Sequence, residues 1–522
     1  MSRLEQLLHD RTLILLSNRE PYEHTRRNGA VTVRQPPGGL VSALDPTMRR
    51  THGTWVAWGS GSADRETADG DGRLLVPPSE RSYTLRRVWL DEADIEGYYL
   101  GFANSVLWPA CHMMMQHLVF RAENWSRYVD VNARFADAVL DEARRAEHTP
   151  MVWIQDYHFA LVAERLRRAM PSLFTHQFWH IPFPPLDILG LLPNEVAEAV
   201  VRGMLGNNLL EFHTRRYAMN FLSCAEYFVP GAVAHRSTMT VDHDGHTTAL
   251  GVYPISIDVD LYEGMATTPE AEQRVRQLRA TYTPDARALL GVSVDRIDYT
   301  KGIPERLHAL ETLWEESPEL RERFTVILVA TPSRSDLEAY KRLEADVIST
   351  VHEINERFAT PDWTPIQLIH DNVSSELLAT IYRAADLCMV SSLQDGMNLV
   401  AKEFIACQVD ERGVLVLSKF TGAAEGMEGA LLINPFNVDG FVAGIRAALE
   451  MHPDERRRRM QMMRAQLRDT TIFDWLDSIL AKADELMRQT AGGRASDGTA
   501  ESAVRTLPPP GAASDAAAAA DR

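Results

Sequence analysis

Short apolar runs recur along most of this chain, and one after another breaks off into a cluster of polar residues. Residues 12–17 (Thr-Leu-Ile-Leu-Leu-Ser) stop at Asn18-Arg19-Glu20, and residues 151–154 at Gln155-Asp156-Tyr157-His158. Residues 174–179 stop at His180-Ile181-Pro182, residues 288–294 at Asp295-Arg296, residues 324–330 at Thr331-Pro332-Ser333-Arg334, and residues 386–390 at Ser391-Ser392. Runs this short and this apolar read as strands buried on both faces. Strands alternating with helical stretches predict an α/β protein with doubly wound, parallel sheets. In such sheets ligands bind beyond the carboxyl ends of the strands. The chemistry of this chain is therefore expected at the places where its apolar runs stop.

Further strands are expected at residues 54–58, 208–212, 226–229 and 413–417, within a strand and loop over 366–373, and near 430–436. A hairpin is expected over residues 239–253, turning at Asp244-Gly245. The segment after Asn18 reads as a polar loop leading to Gly38-Gly39. At 522 residues the chain is too long for one ordinary domain. The alternation predicts a first Rossmann-like domain over residues 1–250 and a second over 251–470, entered through Val252-Tyr253-Pro254-Ile255-Ser256-Ile257-Asp258. Residues 437–490 read as mostly helical, with Arg456–Arg459 as a solvated face. Residues 491–522, rich in Ala, Gly, Ser and Pro, read as a disordered tail.

A formal charge of −18 argues against nucleic acid or an anionic membrane as partner. It also means that a phosphorylated ligand needs a locally basic pocket. Cys111, Cys224, Cys388 and Cys407 are scattered without a CxxC pair, which suits a reducing compartment and argues against a structural zinc site. No segment has the apolar core of a signal peptide or the length of a membrane span. The expectation is a soluble cytoplasmic enzyme without a metal or cofactor.

The most informative stretch runs from Ser391 to Glu403. Gly396 permits a tight bend between strand and helix. The amides of Asn398 and Leu399 open a helix N-terminus, which favours phosphate. Glu403, about a turn further on, is placed to accept hydrogen bonds from a ribose. Arg296 and Lys301 follow a buried strand and suit a pyrophosphate. Taken singly, each of these has a plain structural reading: a capped helix, surface cations, a Gly-Gly turn, a core Trp or Tyr, a structural His. Their recurrence at successive strand ends is what favours a site.

The segments Asp395-Gly396-Met397-Asn398-Leu399-Val400-Ala401-Lys402-Glu403, Arg296-Ile297-Asp298-Tyr299-Thr300-Lys301-Gly302, Tyr98-Tyr99 with Leu107-Trp108-Pro109, and Asp156-Tyr157-His158 together resemble the trehalose-6-phosphate synthase family. The resemblance spans about residues 12–490. It implies a two-domain GT-B fold and retaining transfer of glucose from UDP-glucose to glucose 6-phosphate, with no metal. It implies donor contacts from Gly38, Gly39, Arg296, Lys301, Val373, Asp395, Gly396, Met397, Asn398, Leu399, Val400 and Glu403. Acceptor contacts would come from Arg19, Trp58, Tyr99, Trp108, Asp156 and Arg334, and the catalytic group would be His180, Arg296, Lys301 and Asp395. It further implies that a last helix over 471–490, with Phe473-Asp474-Trp475-Leu476, packs back on the first domain. Members of the family are often dimers or tetramers. Three departures stand out: Gln155 where the family usually has His, Ser256 where it has Gly, and Gln394 where it has Arg. Arg19–Tyr22 and Arg86-Arg87-Val88 also resemble a subgroup that glucosylates glycerol 3-phosphate. A catalytically inactive sugar-phosphate-binding regulator is the remaining alternative.

Overall fold

The structure, a computed structural model, describes residues 8–36, 39–283, 285 and 288–492. Gly38, and the tail from residue 493 onward, lie outside the described residues. The first half contributes β1 (Arg11–Arg19), β2 (Glu23–Arg27), β3 (Ala30–Arg34), β4 (Thr54–Trp58), β5 (Arg73–Val76) and β6 (Tyr83–Val88). It continues with β7 (Thr149–Gln155), β8 (Phe174–Trp179), β9 (Leu209–Phe212), β10 (Val233–His235), β11 (Thr240–His243) and β12 (His246–Val252). Apart from the separate β2–β3 hairpin, these form one sheet in the order β10-β11-β12-β9-β8-β7-β1-β4-β6-β5. Its centre is parallel, with β1 between β4 and β7, and only its margins are antiparallel. The second half gives β13 (Leu289–Arg296), β14 (Phe324–Thr331), β15 (Ile366–Ile369), β16 (Leu387–Val390), β17 (Val414–Ser418) and β18 (Leu431–Ile433). They form a wholly parallel sheet in the order β15-β14-β13-β16-β17-β18.

The central strands are apolar because helices cover both faces. In β7, Met151, Val152, Trp153 and Ile154 are all buried; in β14, so are Val326 through Ala330. One apolar cluster joins the two sheets, running from Leu15, Trp55, Trp153 and Phe178 to Val292, Ile327 and Val390. The helix Ile472–Gly492 belongs to it. Trp475 lies 5.6 Å from Trp153 and 5.1 Å from Phe178, and its indole N–H donates to the Tyr253 carbonyl at 3.2 Å. Of the four thiols, Cys111 and Cys224 are buried in a cluster of the first half, and Cys388 and Cys407 in the cluster that joins the halves.

Several expectations need correction. Residues 226–229 are not a strand: Arg215–Phe228 is one helix, and the run is its last turn and cap, with Phe228 and Val229 buried and Tyr227 exposed. A short apolar run does not by itself separate the two readings. The polar loop after Asn18 contains the β2–β3 hairpin, turning at Asn28 and Gly29, both at positive φ. Tyr98 and Tyr99, given no element from the sequence, sit on a π-helix, Ile95–Leu107, two of whose side chains bond five residues back: Asn104 to the Tyr99 carbonyl at 2.8 Å and Ser105 to the Leu100 carbonyl at 2.7 Å. Single π-turns are the usual form, often at functional sites. Of the Arg456–Arg459 run, Arg457 and Arg458 are exposed as expected, while Arg456 is half-buried and caps the carbonyls of Ala448, Leu449 and Met451.

Candidate active site

Cations from both halves meet at the tips of the two sheets. Arg334 follows β14, is almost fully buried, and holds φ at +46°. Its guanidinium donates to Asp298 Oδ2 at 2.8 Å and to the Tyr157 hydroxyl at 3.5 Å, and stands 4.0 Å above the Trp108 ring. Arg296, at the tip of β13, lies 5.9 Å from the same ring and donates to Ser333 Oγ at 3.4 Å. Arg19 ends β1. Burial would raise the Tyr99 phenol, but the charges of Arg334, Arg19 and Arg296, with a hydrogen bond from Arg19, hold it below the ordinary phenol range. Three guanidinium groups, far apart in sequence, thus act on one hydroxyl. Tyr99 stacks against His158 at 5.9 Å, and Trp58 leans on it at 6.0 Å. The Trp108 indole nitrogen is buried without a partner.

Asp298 was not singled out from the sequence, although it stands inside the Arg-x-Asp-Tyr segment. It is fully buried and accepts from Thr300 N at 3.0 Å, Thr300 Oγ1 at 2.9 Å and the Tyr340 hydroxyl at 3.2 Å. Burial opposes its ionisation, yet Arg334, Arg296 and Lys301 hold its carboxyl far below the usual range. It is the buried counter-charge of the cationic slot.

Lys301 and Asp395 form the neighbouring group, with Nζ 2.6 Å from Oδ2. Burial alone would raise Asp395, but the charge and hydrogen bond of Lys301 keep it below the usual range. Asn398 takes φ +79° and ψ +92°, a conformation unusual outside glycine. That places its side chain to accept from Ala401 N at 3.2 Å as helix cap while donating to Asp395 Oδ2 at 3.2 Å. Gly396 is required for close approach: a Cβ there would lie 2.1 Å from the His180 carbonyl oxygen. Across the same junction the Tyr217 hydroxyl donates to the Asp395 carbonyl at 3.0 Å. Met397 is buried, and Val373, Leu399 and Val400 pack half-buried on the shared cluster. Glu403 accepts from the Tyr382 hydroxyl at 3.1 Å, and burial raises its pKa. Gly39 begins the helix Gly39–Thr51.

Asp156 holds φ +70° and ψ −178°, a region almost confined to glycine and a recognised mark of functional strain. It accepts from His180 N at 3.1 Å, and burial pushes its pKa up to about 7 against the pull of Arg334. Burial, with His213 beside it, drives the His180 imidazole well below its usual range. It is therefore neutral, and its Nε2 lies 2.9 Å from Gln155 Oε1. Site residues thus gather from β1, β4, the π-helix and the helix Trp108–Cys111 that follows it, β7 and β8 on one side, and from β13, β14 and the Ser391–Glu403 segment on the other. Among the described residues, no hydrogen bond or ion pair ties Gly39 or Val373 to them. Among the described residues, no group of three or more His, Cys, Asp or Glu is placed to hold a metal ion.

A sequence model of glycosyltransferase family 20 matches residues 11–485. The chain belongs to glycosyltransferase family 20. The family 20 relatives include the trehalose-6-phosphate synthase of Mycolicibacterium vanbaalenii, 38% identical over 475 residues, covering 90% of this chain and 94% of that protein. A solved UDP-forming alpha,alpha-trehalose-phosphate synthase from Burkholderia xenovorans, in complex with glucose-6-phosphate, superposes with a TM-score of 0.77 at 31% identity, over 90% of this chain and 99% of that one. A trehalose-6-phosphate structure from E. coli bound with UDP-2-fluoro glucose gives 0.81 at 29% identity, over 91% and 99%. The family 20 fold is therefore GT-B.

Proposed function

We propose that this family 20 enzyme transfers glucose with retention from UDP-glucose to glucose 6-phosphate, giving UDP and α,α-trehalose 6-phosphate. The observation that carries this reading is the convergence of Arg19, Arg296 and Arg334 on Tyr99 and Trp108, next to the Lys301–Asp395 pair. A sugar nucleotide and a phosphorylated acceptor bring several negative charges to one place, and an acidic chain needs such a slot to hold them.

In this reading Arg19, Tyr99, Trp108 and Arg334 grip the acceptor phosphate, with Trp58 beside them. Arg296 and Lys301 hold the diphosphate, and Glu403 receives the ribose. Gly39, Val373 and the backbone from Gly396 to Val400 enclose the donor. Asp156, His180 and Asp395 orient the two sugars. The bond from glucose C1 to the diphosphate oxygen breaks, and a bond from C1 to the acceptor's anomeric oxygen forms on the same face. The acceptor proton passes to the departing phosphate oxygen, whose charge Arg296 and Lys301 stabilise. Neutral His180 takes no proton; it holds the wall against which Gly396 closes. Fixing both substrates in register supplies much of the remaining rate.

The test is nucleotide release by the purified protein over a grid of UDP-, GDP- and ADP-glucose against glucose 6-phosphate and glycerol 3-phosphate. Turnover fastest with UDP-glucose and glucose 6-phosphate is expected. Faster turnover with glycerol 3-phosphate would overturn the acceptor assignment, and binding of both substrates without UDP release would overturn the enzyme assignment.

A further inference from the structure

The β2–β3 hairpin is an oddity on packing grounds. Every residue of β3 is exposed, including Val31 and Val33, so burial does not explain why the hairpin is held in place. Yet its base is fixed firmly. Arg87, wholly buried, donates to Glu20 Oε2 at 2.8 Å and to the Tyr22 carbonyl at 3.0 Å, and lies 2.7 Å from His24 Nδ1. Asp64, also buried, accepts from the backbone N–H of His24 at 2.8 Å. Arg26 N adds a bond to Ser62 Oγ at 3.0 Å. A buried ionic cluster thus anchors a ribbon that is otherwise solvated.

What the anchoring positions is the last cross-strand pair of the hairpin, Glu23 opposite Arg34. Both line a cavity of about 330 Å³ whose other walls include Arg19, Trp58 and Tyr99. The Arg34 guanidinium lies 2.8 Å from Glu23 Oε2; the Arg34 side chain is 59% exposed, that of Glu23 17%. An ion pair this open to water is weak. A phosphate dianion beside Arg19 would repel Glu23 and offer Arg34 a stronger, two-pronged partner.

We propose that Arg34 is a further acceptor-phosphate ligand, delivered by the hairpin and held in reserve by Glu23 until a phosphorylated acceptor enters. The proposal rests on the acceptor assignment given above. Glu23 then acts as a placeholder: it keeps Arg34 pointed at the cavity and is displaced by the anion. The exchange ties the partner of Arg34 to the charge of the acceptor, so the hairpin selects for phosphorylated acceptors.

The test uses the full chain at saturating UDP-glucose, with glucose 6-phosphate varied and inorganic phosphate as competitor. Arg34→Ala is expected to raise the acceptor KM and the phosphate Ki together, by about tenfold, with kcat and the UDP-glucose KM within about twofold of wild type. Arg34→Lys should fall between the two. Glu23→Gln should move the acceptor KM in the opposite direction, because it frees Arg34. A purely structural role for the hairpin would lower kcat or shift both substrates' KM values equally. Either result, or an unchanged acceptor KM in Arg34→Ala, overturns the proposal. Failure of the wild-type protein to release UDP with glucose 6-phosphate would instead overturn the parent reading, before any variant is compared.

Discussion

At the residue scale, Arg334 serves two partners, and this changes what its removal should do. It faces the slot through Trp108 and Tyr99, and it neutralises buried Asp298. Removing one member of a buried pair leaves the other uncompensated, at a cost of roughly 3–5 kcal/mol. Arg334→Ala should therefore lower thermal stability as well as raise the acceptor KM. Adding Asp298→Asn should recover much of the stability but not the KM, which calorimetry and steady-state kinetics would separate. Asp156 gives a pH signature. Its folded pKa, about 7, lies above the usual carboxylate value, so the folded form binds a proton that the unfolded chain has lost. Stability contributed by this group is present at low pH and falls as pH rises from about 4 to about 7. If the ionised carboxylate receives acceptor hydroxyls, acceptor kcat/KM should rise through an apparent pKa near 7, and Asp156→Asn should flatten that limb. A limb that survives the substitution would assign it to another group. None of this was legible beforehand: the sequence placed Asp156 at a strand tip, but neither its glycine-like backbone nor its burial follows from neighbouring residue types.

At the scale of elements, the strand tips were legible and the exposed ribbon was not. β1, β4, β8 and β13 lie close to where their apolar runs stand, because a strand buried on both faces must be apolar throughout. β3 is exposed throughout and β2 buries only the polar His24, so hydrophobic periodicity is silent about the hairpin. Its Asn28-Gly29 turn was the available signal. The turn at Gly396 was read as a bend; the structure adds that it is a contact, with no room for a methyl group against the His180 carbonyl. Gly396→Ala should force the two sheet tips apart, at a cost of about 1–3 kcal/mol and with loss of most turnover, measurable by melting and UDP release. The linker holds the opposite case. Ser256 is buried and its hydroxyl has no partner, while the neighbouring Ile255 peptide is bound from both sides, its N–H by His213 at 3.3 Å and its carbonyl by Lys402 at 2.6 Å. Gln155 Nε2 and Gln394 Oε1 are likewise unpartnered, so all three departures from the family pattern leave a buried polar atom unsatisfied. Ser256→Ala is expected to stabilise the protein by about 1 kcal/mol, since an unpaired buried hydroxyl costs that much or more. A lower melting temperature would point to a hidden partner.

At the scale of the molecule, the chain crosses once from the first sheet to the second through residues 252–258 and returns with the helix Ile472–Gly492. Ile472 N meets the Ile257 carbonyl at 3.0 Å, so departure and return are stitched at one point. This double crossing explains why one apolar cluster serves both sheets, and why the slot between their tips is assembled from residues hundreds of positions apart. It also gives the four thiols a use. Each is buried, and burial pushes each above its usual pKa, two within the first half and two where the halves meet. In the intact protein none is a competent nucleophile toward a bulky alkylating reagent. Alkylation should therefore proceed only as fast as the fold opens, and mapping which pair is tagged first would time the release of one half from the other without any added probe.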